Sequence, residues 1–172
     1  MSMHVTSKEM AMLGTLAGLC VLFICLGSIL ESNTLFLLGA ASLCFGAALK
    51  DYGFRLGGGF LAATMALSLL LSGNKLYCLT YLGMCVYLMT RMFVFKGRIQ
   101  RGIKEALCYA VFNIMYIPVI ILAPKLVFHG RFNSLLFLFF IVGGQIVLFI
   151  YNYVLNWFLY TGWIQFKKRF LG

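Results

Sequence analysis

Gln145, Asn152 and Asn156 are the polar side chains set deepest in the longest apolar run of the chain, Ser134 to Ile164. Their offsets of 0, 7 and 11 place all three within roughly 40° of one another on a single helix face at 100° per residue. The chemistry open to such a stripe is hydrogen bonding. Asn113, in the preceding apolar run, is its expected partner, and Tyr116 and Tyr151 fit either of two roles. In the first, the amides bond helix to helix and fix the packing, at a modest ~0.6 to 2 kcal/mol each. In the second, Asn113, Tyr116, Gln145, Tyr151, Asn152 and Asn156 line a cavity and orient a polar ligand among aromatic side chains, as ligand pockets commonly do.

Other chemistries are poorly served. Glu9, Glu31, Asp51 and Glu105 all fall at ends or turns of the apolar runs, which argues against a proton pathway built on an intramembrane carboxylate. His4 and His129 are isolated from each other and from any carboxylate motif, and no Gly-x-Ser-x-Gly stands among the runs. Gly57-Gly58-Gly59 lacks a following Lys-Ser/Thr and a preceding strand, so it reads as close helix packing and not as a phosphate cradle. The six cysteines (Cys20, Cys25, Cys44, Cys78, Cys85, Cys108) form no Cys-x-x-Cys pair and read as small membrane hydrophobes. The expectation is a chain with no enzymatic activity, no metal and no cofactor.

The elements that position the stripe follow from composition. With 63% hydrophobic and 10% charged residues in 172, and a mean hydropathy of +0.99, the chain lies far from soluble proteins, where about 25% of residues are charged. It belongs in a lipid bilayer. A span takes about 20 apolar residues, and the hydropathy pattern predicts an all-α, polytopic membrane protein. Residues 1–172 form one domain, a six-helix transmembrane bundle with spans at about 10–30, 34–50, 56–72, 76–95, 106–128 and 134–164. The first run lacks a small-x-small cleavage site behind it and is expected to be a retained span. Pro118 predicts a kink in the fifth span. Residues 96–105 read as an interfacial basic helix. The sixth run is about 46 Å of helix against about 30 Å of hydrocarbon, so it must tilt, break at Gly143-Gly144 or continue into the headgroups. Trp157, Tyr160 and Trp163 before Lys167-Lys168-Arg169 read as an aromatic belt and basic anchor.

The net charge of +10 reflects topology and does not indicate nucleic-acid binding. With six spans, eleven Lys and Arg fall on the side of both termini and three on the other, so both termini are expected in the cytoplasm. Lys50 and Arg91 read as snorkelling to the interface from span ends.

In the first span Gly14, Ala17 and Gly18 make a small-residue patch with a Gly-x-x-x-Gly pair, suited either to packing within the bundle or to docking another protein. A six-span bundle of this size with such a patch resembles the S components, the substrate-binding membrane subunits of energy-coupling factor vitamin transporters. Ala11 to Gly18 looks like their docking face for the transmembrane coupling subunit, and Tyr52-Gly53-Phe54-Arg55-Leu56-Gly57 like their glycine-bearing turn into the third span. The family's Ala-x-x-x-Ala pair is absent, with Gly14 and Gly18 in its place. The resemblance implies uptake of a vitamin-like small molecule across a bacterial cytoplasmic membrane. It also implies partners, a coupling subunit and an ATPase pair, with docking through Ala11, Gly14, Ala17 and Gly18. The competing reading is a small interaction or assembly protein with no ligand of its own.

Overall fold

The computed structural model describes residues 7–30, 33–73, 75–97, 100–122 and 134–170, and these are almost wholly helical. In chain order they form α1 (Ser7–Ile29), α2 (Thr34–Leu71), α3 (Lys75–Lys96), α4 (Arg101–Leu122) and α5 (Ser134–Trp157), then a π-helical turn (Phe158–Gly162) leading directly into α6 (Trp163–Phe170). Four helical stretches among the described residues are long and apolar enough to cross a membrane, namely α1, α2, α3 and Ile141–Arg169. Six spans, the expected count, are thus not shown among the described residues. The second and third expected spans belong to one helical segment, and the stretch 123–133, which was to close the fifth span and lead into the sixth, lies outside the described residues.

Gly53 divides that helical segment into two arms. Helical backbone runs up to it and resumes after it, but Gly53 itself has φ 73° and ψ −178°, a conformation essentially confined to glycine. There the chain reverses. The rings of Phe45 and Phe60 lie 6.2 Å apart, whereas fifteen residues of straight helix would separate them by roughly 22 Å. Gly57 comes so close to Leu49 that an added Cβ would sit 2.6 Å from Leu49 Cδ1 and 3.4 Å from its Cα. α2 is thus two arms folded against each other, with its tip at the polar segment from Lys50 to Arg55.

The core gathers between α1, the arms of α2, α3 and the end of α5. Cys20, Ile24, Leu38, Phe45, Tyr81, Leu88, Leu155 and Leu159 are among its buried members. Cys20, Cys44, Cys78 and Cys85 are buried in these helix contacts, and Cys108 in a second cluster with Tyr87 and Leu148, which suits small, soft side chains at close approaches. One polar node sits inside: the Tyr81 hydroxyl lies 3.1 Å from Cys20 Sγ and 3.2 Å from Thr64 Oγ1, joining α3 to α1 and α2. The outside is apolar, with Leu70 83% and Phe36 77% exposed. So much exposed hydrocarbon on every helix is the surface of a protein solvated by lipid.

Several local features differ from what the sequence led one to expect. Lys104 and Glu105 are part of α4 itself and not of a separate interfacial helix. Helical backbone also continues through Pro118 to Leu122. Trp163 is no belt residue: it is 5% exposed and its indole N–H donates to Asp51 Oδ2 at 2.9 Å. Lys167 Nζ lies 3.1 Å from the same oxygen. Lys50, expected to snorkel, donates to the Leu159 carbonyl and stands 4.6 Å from the Tyr160 ring centre. The α2 tip is therefore pinned to the C-terminal helix, while Trp157 and Tyr160 remain exposed as a belt requires.

Candidate functional site

The polar stripe of α5 meets two different helices. At its N-terminal end Gln145 Nε2 donates to Asn113 Oδ1 at 2.6 Å, and Asn113 Nδ2 donates to the Tyr109 carbonyl at 2.9 Å within α4. The structure thus brings together the pair expected from sequence. Tyr116 lies beside it, stacked on Phe112 at 5.1 Å, with its ring against Gly144: a Cβ at that glycine would fall 2.6 Å from the ring. Gly144 is small for the sake of this contact, and α5 does not break there.

Seven residues on, the stripe turns to α3. Asn152, 9% exposed, accepts from the Tyr87 hydroxyl at 2.8 Å and from Arg91 Nη1. Asn156 Oδ1 accepts from Arg91 Nη2 at 3.2 Å. Arg91 is the functional residue that sequence reasoning missed. Far from reaching the interface, it is 6% exposed and stands with its guanidinium 5.0 Å from the Phe95 ring centre. The bonds it makes to Tyr87, Asn152 and Asn156 all go to neutral oxygens. A signal was present in the sequence: Tyr87 and Arg91 share one face of α3 at i, i+4. Buried amides also need donors, so such a face was a plausible mate for Asn152 and Asn156.

Tyr151 leaves the stripe. Its hydroxyl bonds Ser42 Oγ at 2.7 Å on the first arm of α2. Of the six expected site residues, Asn113, Tyr116 and Gln145 therefore form one group, Asn152 and Asn156 a second around Arg91, and Tyr151 stands apart. Beside the second group is a cavity of about 130 Å³ walled by Arg91, Glu105, Cys108, Tyr109, Asn152 and Asn156. That is smaller than the ~300 to 1,000 Å³ usual for drug-sized ligands.

On α1, Ala11, Gly14 and Gly18 are exposed, while Ala17 packs against the core. No atom lies within 4 Å of where a Cβ would stand on Gly14 or Gly18. Among the described residues, nothing packs on the glycine pair. Among the described residues no group of three or more His, Cys, Asp or Glu is placed to hold a metal ion.

Comparison with protein-family models, curated proteins and solved structures finds no match to this chain.

Proposed function

We propose that this chain is a non-enzymatic membrane subunit that works by association, the substrate-binding subunit for uptake of a vitamin-like small molecule. The observation that carries the reading is the open face of α1. Gly14 and Gly18 sit one turn apart with nothing against them, and such a pair lets a second transmembrane helix approach to backbone distance. The partner on that face is a transmembrane coupling subunit driven by an ATPase pair. The ligand belongs in the seam of α4 and α5, where Asn113 and Gln145 would exchange their bond to each other for bonds to a polar solute beside Tyr116. In this reading the two arms of α2 cross separately and α4 crosses as well. That makes six crossings and leaves both termini with the eleven basic residues on the cytoplasmic side of a bacterial membrane.

A second reading, an assembly subunit with no ligand, is favoured by one observation: Gln145 already donates to Asn113, which in turn donates to the Tyr109 carbonyl. Two measurements separate the readings. Gly14→Leu with Gly18→Leu should abolish co-purification of a partner while the monomer's melting temperature stays within a degree or so, since an added Cβ at either position meets nothing within 4 Å. A lowered melting temperature with partner binding intact would refute the docking face. Mass spectrometry of small molecules released from the purified chain then decides between a substrate-binding and a purely assembling role.

A further inference from the structure

The recess at Arg91 has features that neither the seam nor the docking face requires. Arg91 has five N–H donors, and three bonds to protein engage Tyr87, Asn152 and Asn156 through its two terminal nitrogens. Among the described residues Nε–H makes no such bond, and Arg91 is one of the residues that wall the cavity. A second cation approaches the same place: Lys104 Nζ stands 5.6 Å from the Phe95 ring centre that Arg91 also faces, and donates to the Phe95 carbonyl at 3.1 Å. Lys96 follows at the end of α3. Against these the cavity wall carries one carboxylate, Glu105. The remaining wall includes Phe149 and Tyr153, both exposed on the outer surface of α5, so the recess opens sideways to lipid and not only to water.

We propose that this recess is a seat for a phosphate group, presented by an anionic phospholipid of the inner leaflet. Its volume suits a group of a few heavy atoms and not a vitamin. A guanidinium held in place by two amides offers directed donors to phosphate oxygens. Basic recesses between helices on the cytoplasmic side are the usual place for such headgroups, and the neighbouring lysines disfavour a choline-bearing one. The proposal rests on the cytoplasmic placement of the basic loops, and not on any transported substrate or docking partner.

The test uses the full chain, delipidated in neutral detergent and titrated with phosphatidylglycerol, phosphatidylcholine or inorganic phosphate. Thermal unfolding and native mass spectrometry are the readouts. Phosphatidylglycerol should bind and raise the melting temperature more than phosphatidylcholine, and Arg91→Gln should weaken it by about tenfold or more. A rise with inorganic phosphate, likewise lost in Arg91→Gln, would support the phosphate seat with a soluble source. Glu105→Gln should tighten binding and Lys104→Gln weaken it. These two variants decide the matter if Arg91→Gln does not fold. The proposal is overturned if phosphatidylglycerol behaves as phosphatidylcholine does and phosphate has no effect. It is equally overturned if Arg91→Gln keeps the full preference, which would assign that preference to Lys167 and Lys168, or if neither Glu105→Gln nor Lys104→Gln changes affinity.

Discussion

Replacing Gly53 by alanine tests whether α2 folds back on itself. With φ 73° and ψ −178°, any L side chain at this position is strained by about 1 to 3 kcal/mol. No atom lies within 4 Å of the added Cβ, so no packing change offsets or adds to the strain. At ~2 to 4 °C per kcal/mol for a chain of this size, the melting temperature in detergent should fall by roughly 2 to 12 °C. Gly57→Ala should also destabilise, but for a different reason, since its Cβ meets Leu49 Cδ1 at 2.6 Å. Leu49→Ala should therefore recover part of the loss from Gly57→Ala and none of the loss from Gly53→Ala. The direct check is a pair of cysteines at Phe45 and Phe60 in a cysteine-free background, joined by a short thiol crosslinker. The rings are 6.2 Å apart in the folded-back chain and the positions would be roughly 22 Å apart along a straight helix. Absence of the crosslink, with an unchanged melting temperature for Gly53→Ala, would show that α2 is continuous and that the turn argument is wrong.

Gln145→Ala leaves Asn113 without its acceptor–donor contact on α5 and should cost ~1 to 3 kcal/mol, read as a lower melting temperature. Asn113→Ala with Gln145→Ala together should cost less than the sum of the single changes, and full additivity would show that the pair is not coupled. Asp51→Asn removes the carboxylate shared by Trp163 and Lys167. Lys167 is half-exposed, so the stability loss should stay near ~1 kcal/mol or below, while tryptophan emission should shift to the red as Trp163 loses its seat. An unshifted spectrum would show that the indole is held by packing alone.

Much of this architecture was legible in the sequence because hydrophobicity and turn chemistry act locally. The apolar runs marked α1, both arms of α2 and α3 to within a few residues, and the polar segment from Lys50 to Arg55 with Gly53 inside it marked the reversal. The amide stripe was legible as well, since three polar side chains on one face of an apolar helix declare that the face is not for lipid. What the stripe would meet was not legible. Arg91 at a helix end satisfies the same hydropathy pattern whether it snorkels or is buried. The deciding acceptors, Asn152 and Asn156, lie 61 and 65 residues away. Trp163 was misassigned for the same reason, because its partner Asp51 is 112 residues distant. A belt tryptophan and a buried one differ only in what the fold brings beside them.

The π-helical turn at Phe158–Gly162 sets a phase. Such a turn holds about one residue more than an α turn, and each residue of α-helix advances a side chain by about 100° around the axis. The extra residue therefore decides the direction in which Trp163 and Lys167 leave the axis, independently of the face that α5 has chosen inside the membrane. Without it, the helix that carries Asn152 correctly towards Arg91 would swing Trp163 a quarter-turn or more away from Asp51. Two sets of contacts with incompatible angular spacing are thus served by one rod, and the irregular turn acts as the vernier between them.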